Sequence, residues 1–166
     1  MRRPLLLLAL AAVLLVAVVA PAMAERDFDF VARLSPDQEV AHVDAPDAEG
    51  LAKFKVDGNV LRYEVVVRGL TGSATMAHIH GPADRGVNAG ISIWLCGTTA
   101  LPGPAGTPTC SPTTNGELVT GSVTVTSEQL AMLDAGLGYA NVHTALHPAG
   151  EVRGQVRPPD RPDVNG

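Results

Sequence analysis

The stretch LAKFKVDGNVLRYEVVVRGL, residues 51–70, alternates apolar and polar side chains on either side of a central turn. Alternation with a period of two places every second side chain on the same face of a β-strand. The tripeptide Asp57-Gly58-Asn59 interrupts the alternation and is typical of a tight hairpin turn. The stretch therefore predicts a β-hairpin that turns one apolar face towards a core. The inward-facing side chains are Ala52, Phe54, Val56, Leu61, Tyr63, Val65 and Val67.

Shorter runs of the same kind lie on both sides of this hairpin, between segments rich in Gly and Pro. Within residues 89–97, the alternation places Ile91, Ile93 and Leu95 on one face. Such short runs, separated by turn residues, are typical of strands in an all-β domain. The other runs are residues 27–34, 75–80, 116–126, 138–144 and 150–156.

The stretch TSEQLAMLDAG, residues 126–136, carries the one helical pattern that we identify. Ser127 is a suitable N-cap, and Gly136 is suited to end the helix. Together with the strands, this pattern predicts an all-β fold, an immunoglobulin-like or Greek-key β-sandwich or barrel of about eight strands with one short helix.

The first 24 residues have the three parts of a secretory signal peptide. Arg2 and Arg3 form a basic start, an uncharged apolar run extends from Leu5 to Ala20, and Ala22-Met23-Ala24 is a cleavage site of the A-x-A type. A retained membrane anchor is the alternative, but the apolar run is shorter than the roughly 20 residues that span a bilayer. We therefore expect a secreted or periplasmic protein that is not inserted in the membrane after cleavage.

The remaining chain predicts one domain at residues 25–157 and a disordered, Pro-rich tail at residues 158–166. Removal of the signal peptide takes the formal net charge from −5 to −7, because the segment holds two arginines and no acidic residue. Nucleic-acid binding needs a basic face, so we expect no nucleic-acid partner.

Cys96 and Cys110 are the two cysteines of the chain. Export exposes them to an oxidising compartment, which predicts one disulfide between them. The alternative is a pair of free thiols or thiolate metal ligands, but their spacing does not match a C-x-x-C metal site. The disulfide would close a segment rich in Pro, Gly and Thr.

Three histidines lie on two of the predicted strands. His78 and His80 share a face in residues 75–80, and Ile79 between them points the other way. His143 likewise points opposite to Val142. Because the apolar residues belong in the core, we expect the three imidazoles on the outer surface of the sandwich. If the two strands are neighbours, the imidazoles form a copper or zinc site. The alternative is an ordinary polar strip on the sheet.

The other polar candidates have weaker patterns. His147 is either a fourth ligand or a turn residue, and the second interpretation is favoured; His42 lies in a polar connection and is expected in solvent. Asn141 shares the face of His143. Glu151 and Arg153 share a face on the last strand, where Arg153 either orients an anion near the histidines or forms an ion pair that fixes strand register.

Several segments together resemble the CHRD domain, a module found in the animal protein chordin and in exported microbial proteins. They are LSPDQEV, AHIHGPADRGVNAGISIWLCG, TSEQLAMLDAGLGYANVHT and PAGEVRGQV. The resemblance as a whole extends from about Phe28 to Val156. The resemblance implies an immunoglobulin-like β-barrel with limited similarity to Cu/Zn superoxide dismutase. In that enzyme, histidines on two strands bind copper, and His78, His80 and His143 are the matching candidates here.

The resemblance implies a metal site more strongly than an activity. Between His80 and His143 the chain has no cluster of His and Asp like the zinc subsite of the dismutase. The sequence also has no G-x-S-x-G or H-E-x-x-H motif. We therefore favour a non-enzymatic binding or structural module of the cell envelope or extracellular space, whose partner is an unknown protein or surface polymer. The alternative is a copper-binding or zinc-binding protein, and a dismutase-like enzyme is the third hypothesis.

Overall fold

The computed structural model describes residues 28–159, so the predicted signal peptide and most of the predicted tail lie outside the described residues. Eight strands and one short α-helix follow one another along this part of the chain, and a single 3₁₀ turn lies after the first strand. The strands are β1 (Phe30–Leu34), β2 (Glu49–Asp57), β3 (Val60–Arg68), β4 (Ala74–His80), β5 (Ile91–Cys96), β6 (Gly116–Thr124), β7 (Tyr139–Thr144) and β8 (Val152–Gln155), and helix α1 is Ser127–Asp134.

The strands form two antiparallel four-stranded sheets, which confirms the all-β sandwich with one short helix. The first sheet has the order β1-β2-β3-β6, and the second has the order β5-β4-β7-β8. The predicted hairpin is β2 and β3, which pair from Asp57↔Val60 to Glu49↔Arg68. Gly58 occupies its turn with a φ of 60°.

Apolar side chains from the facing sides of both sheets fill the space between them. Phe54 and Leu61 come from the predicted hairpin and are fully buried, as is Ile79 of the second sheet. Burial of a large apolar side chain contributes about 1.5–3 kcal/mol, so this layer is the main source of stability. In β5, Ile93 and Leu95 join the core, whereas Ile91 is 46% exposed, so the predicted common face of the three residues is wrong at Ile91.

The two sheets are joined along one side by backbone hydrogen bonds between β1 and the end of the chain. Isolated bridges link Val31 to Arg157 and Ser35 to Arg153. Both bridges have hydrogen bonds in each direction, with N···O distances of 2.7–3.1 Å. The sandwich is therefore partly closed towards a barrel along this seam between β1 and β8.

A disulfide joins Cys96 to Cys110, as predicted, with the Cα atoms 5.0 Å apart. It closes the segment of residues 97–109, and Gly97 and Thr109 also form an isolated bridge. The segment lies over Trp94, because a Cβ atom added at Gly103 would be 2.7 Å from the indole ring. The disulfide thus fixes a loop that packs on the outer side of β5.

Helix α1 begins at Ser127, the predicted cap residue, so its cap lies one residue earlier than predicted. Thr126, not Ser127, is the N-cap: its hydroxyl accepts a hydrogen bond from the Gln129 amide, and the Gln129 side chain accepts one from the Thr126 amide. This reciprocal pair is a capping box. Gly136 follows the helix with a φ of 73°, which agrees with its predicted role. Among residues 28–159, none of the helices is long and apolar enough to span a membrane.

Candidate metal centre

Strands β4 and β7 are neighbours in the second sheet, and this adjacency brings His78, His80 and His143 together. In their register, His78 pairs with Asn141, and Met76 pairs with His143. His78 and His143 are therefore diagonal neighbours across the two strands, close enough for long side chains to meet. One ring nitrogen from each histidine lies within 4.8 Å of those of the other two.

The three imidazoles face away from the core, but they are not on an open surface. His78 is fully buried, His143 is 6% exposed, and His80 is half-buried. The expected exposure is wrong because two connections fold back over this face of the sheet: residues 81–90 after β4 and residues 145–150 after β7. The histidines therefore lie in a second, polar interior outside the hydrophobic core.

Those two connections also determine which ring nitrogens carry protons. The Nδ1 atom of His80 is 3.0 Å from the Ala89 carbonyl oxygen, and the Nδ1 atom of His143 is 3.0 Å from the Pro148 carbonyl oxygen. A carbonyl oxygen only accepts hydrogen bonds, so each Nδ1 must donate a proton. In the neutral rings, the Nε2 atoms of His80 and His143 then carry the lone pairs that bind metals.

The nitrogen atoms nearest to one another belong to His78 and His143. The Nδ1 atom of His78 is 3.2 Å from the Nε2 atom of His143. Two ligands at 2.0–2.1 Å from a tetrahedral ion are about 3.3 Å apart, so this pair is already spaced for a shared metal. The Nε2 atoms of His78 and His80 are buried and have no hydrogen-bond partner within the described residues. In the metal-free site, the Nδ1 atom of His78 donates its proton to the Nε2 atom of His143, so both unpartnered Nε2 atoms carry lone pairs. Buried lone pairs of this kind are costly unless a donor or cation meets them. A metal between His78 and His143 would require the His78 proton to move to its Nε2 atom.

Burial keeps the three imidazoles neutral. It lowers the pKa of His78 to about 3, with smaller contributions from His143 and His80. It also lowers the pKa of His143 to about 4, against the opposing effect of the bond to Pro148. The pKa of His80 is lowered as well, chiefly by burial. All three rings are therefore in the metal-binding form at neutral pH.

Aromatic rings and a cation surround the histidines. The Tyr139 ring stacks on His80, with 4.9 Å between centroids and 4° between planes. The guanidinium carbon of Arg153 lies 3.4 Å from the centroid of the same Tyr139 ring. Trp94 meets His78 edge to face, with 4.2 Å between ring centroids. These groups hold the imidazole planes in fixed orientations and keep bulk water away from them.

Arg153 is 1% exposed and donates hydrogen bonds to the Asn88 side chain and the Val87 carbonyl oxygen. It thereby holds the connection of residues 81–90 over the site. The carboxylate whose charge acts on Arg153 is Glu39. Burial raises the pKa of Glu39 to about 7, although Arg153 and a hydrogen bond from Asn141 oppose the shift.

The remaining predicted residues have separate positions. Asn141 is buried beside the site, and its side-chain amide donates to Glu39. Glu151 is buried, and its carboxylate accepts bonds from Thr71 and Thr144, so it ties the β3–β4 connection to β7. His42 is exposed, and His147 lies half-buried in the turn after β7, outside the group of three.

A family model described as the CHRD domain matches residues 30–156. The chain belongs to the CHRD family. No curated protein and no solved structure matches the chain. The match covers all eight strands of the CHRD domain, so the histidine site lies within the family module itself.

Sequence reasoning missed Glu39 and the ring contact of Tyr139 in this CHRD domain. Glu39 lies 102 residues before its partner Asn141 and in no regular strand or helix, so no periodic pattern marks it. Alternation does place Tyr139 on the face of Asn141 and His143, but it does not predict that the ring stacks on His80 of the neighbouring strand.

Proposed function

We propose that this CHRD domain is an exported, non-enzymatic module that binds a transition-metal ion through His78, His80 and His143. Copper is the ion that we consider the best candidate. The observation that carries the proposal is the arrangement of the ring nitrogens. Backbone carbonyls hold the Nδ1 protons of His80 and His143, so the Nε2 lone pairs are directed to binding, and His78 contributes a third nitrogen beside them.

The donor set supports copper or zinc rather than calcium or magnesium. Imidazole nitrogens suit copper and zinc, whereas calcium and magnesium prefer carboxylate, carbonyl and water oxygens. The group contains histidines only among the residues that the structure describes. Divalent copper binds nitrogen sites more tightly than zinc does, so copper is the first choice.

The disulfide and the sequence of the first 24 residues support a location outside the cytoplasm, either secreted or periplasmic. There the module would encounter copper that is not controlled by cytosolic thiols. We also propose that the module binds a partner protein or a surface polymer. The metal site lies inside the module, and the partner would bind its outer surface.

Metal analysis of protein purified without a His-tag tests the proposal. We expect close to one equivalent of bound metal, a visible d–d band with Cu(II), and quenching of Trp94 fluorescence, because the indole contacts His78. The variant His78→Ala/His80→Ala/His143→Ala should lose all three signals while circular dichroism shows an intact fold.

The matched control is His42→Ala/His147→Ala, which removes two imidazoles outside the group. It should bind copper as the parent does. Equal copper binding by the triple variant and the parent would contradict the metal proposal. A superoxide assay on copper-loaded protein tests the non-enzymatic part, and activity above that of an equal amount of free copper would refute it.

A further inference from the structure

We infer that the site is built for monovalent copper and that Met76 supplies a thioether sulfur as its fourth donor. The inference rests on the proposed metal-binding function and specifies the oxidation state that the site prefers. Thioether sulfur is a soft ligand that selects Cu(I). The geometry, the packing of Met76 and the charges around the histidines each lead to this conclusion.

Met76 lies on the histidine face of β4. Ala77 and Ile79 of this strand are fully buried in the hydrophobic core, so Met76 and His78 point to the opposite face. Met76 is also the cross-strand partner of His143. Directly paired side chains have Cβ atoms roughly 4.5–5.5 Å apart, which lets a flexible methionine reach the same ion as His143.

Core packing does not account for Met76. The side chain is half-buried, yet it belongs neither to the hydrophobic core nor to the partly buried apolar side chains that pack against it. An apolar residue of this size, on the polar face of the sheet and opposite His143, gains little from burial alone. Its sulfur is therefore available as a donor.

The charges near the site favour a monovalent ion. All ligands would be neutral, because the group contains no carboxylate among the described residues. The Glu151 carboxylate is bound by Thr71 and Thr144. The positive charge of Arg153 acts on His80. The Glu39 carboxylate, which also acts on Arg153, offsets part of that charge only when it is ionised, and burial raises the pKa of Glu39 to about 7. A cation placed among neutral ligands beside a guanidinium is repelled in proportion to its own charge, which disfavours Cu(II) and Zn(II) relative to Cu(I).

The aromatic rings around the histidines also favour a monovalent ion. Trp94 covers His78, and Tyr139 covers His80. The cost of removing an ion from water increases steeply with its charge, so a site screened by aromatic rings discriminates further against divalent ions. The sulfur, the nearby guanidinium and the low polarity all select the same oxidation state.

Anaerobic titration of Cu(I) against a chromophoric chelator such as bicinchoninate tests the inference on the full mature chain. Met76→Leu conserves volume and removes the sulfur. We expect its Cu(I) affinity to fall about tenfold or more, as expected for the loss of a metal ligand, with a smaller change for Zn(II). If Cu(II) affinity is unchanged, tenfold corresponds to a fall of about 59 mV in the reduction potential of the bound copper.

The matched control is Met132→Leu, which removes a buried sulfur in α1 outside the site. It should leave both the Cu(I) affinity and the potential unchanged. X-ray absorption of the Cu(I)-loaded parent should show one sulfur neighbour that persists in Met132→Leu and disappears in Met76→Leu. The two cysteines are joined to each other, so they do not supply that sulfur.

The outcomes separate the inference from the proposed function. If Met76→Leu matches the parent in Cu(I) affinity and the parent shows no sulfur neighbour, the role of Met76 is refuted, while the histidine site stands. A parent that binds Zn(II) more tightly than Cu(I) would refute the preference for monovalent copper. A parent that binds none of Cu(I), Cu(II) and Zn(II) would refute the proposed function itself.

Discussion

Two backbone carbonyls orient two of the three histidines, although neither carbonyl belongs to a histidine. The carbonyl of Ala89 orients His80, and that of Pro148 orients His143. Such second contacts fix the tautomer and the plane of a metal-binding imidazole. At this scale the sequence predicted the face of each histidine but not its burial, because alternation identifies a direction and carries no information about distant loops that cover it.

Tyr139 gives a prediction about positioning. Its hydroxyl accepts a hydrogen bond from the Ala89 amide, and the Ala89 carbonyl orients His80. Tyr139→Phe loosens this peptide, so we expect the copper affinity to fall by roughly tenfold while the stacked ring remains. The measurement is the same chelator competition. Tyr63→Phe is the control, since its hydroxyl bonds to the Leu95 carbonyl in the hydrophobic core; it should reduce stability and leave copper affinity unchanged.

The raised pKa of Glu39 leads us to expect that the free energy of unfolding depends on pH. Burial raises its pKa from 4.5 to about 7 in the folded protein, so the folded state retains a proton that the unfolded chain loses first. Its contribution to stability is therefore full below about 4.5 and is lost as the pH rises through about 7. Glu39→Gln removes this titration. Urea denaturation of the metal-free protein should show the variant gaining stability relative to the parent as the pH rises from 4.5 to 8, and a difference independent of pH would contradict the assignment.

At the scale of the elements, the hairpin of β2 and β3 was predictable because one strand follows the other and each alternates without interruption. Strand β5 was not. Its pairing with β4 shifts register between Ile79 and His80, so an irregularity separates Ile91 from the rest of the strand and leaves it exposed. A bulge adds one residue and so reverses which side chains point inward beyond it. No residue type in this segment predicts the bulge.

Two glycines with nearly the same φ angle lead us to expect different effects of an alanine substitution. Gly58 and Gly69 have φ values of 60° and 61°. Alanine at either position carries the strain of the left-handed region, roughly 1–2 kcal/mol. At Gly58 the added Cβ meets nothing within 4 Å, whereas at Gly69 it would lie 2.1 Å from the Asp47 carbonyl oxygen.

We therefore expect Gly69→Ala to reduce the free energy of unfolding by at least about 1 kcal/mol more than Gly58→Ala does, because the backbone of residue 47 must move. Chemical denaturation of the two variants side by side measures this difference. Equal destabilisation would mean that the connection between β1 and β2 yields freely at Asp47.

At the scale of the whole molecule, the disulfide stabilises the fold by closing the long loop of residues 97–109. Cys96 and Cys110 are 14 residues apart, and closing a loop of that length is worth about 3 kcal/mol. Cys96→Ser/Cys110→Ser should lower the free energy of unfolding by about that amount. Because the loop lies over Trp94, the indole should also become more exposed. A red shift of tryptophan emission in the folded variant measures the second effect, and an unchanged spectrum would show that the loop holds its place without the bond.

The fold class, the disulfide and the membership of the CHRD family could be predicted from the sequence, because local alternation, cysteine count and short motifs carry them. The interior that surrounds the histidines could not. It is assembled from segments that are far apart in the chain, such as Glu39 with Asn141 and Asn88 with Arg153. Contacts of this range depend on the complete topology, which no stretch of the sequence encodes by itself.

The seam between β1 and β8 has a consequence for how copies of the molecule meet at high concentration. An unpaired strand edge is a template on which a second chain can add a strand and begin a fibril. Here the backbone groups of Val31 and Ser35 are occupied by Arg157 and Arg153 of the same chain. A second molecule can extend either sheet at this seam only after displacing Arg153 and Arg157 from these hydrogen bonds. The last residues of the domain therefore protect this edge against aggregation.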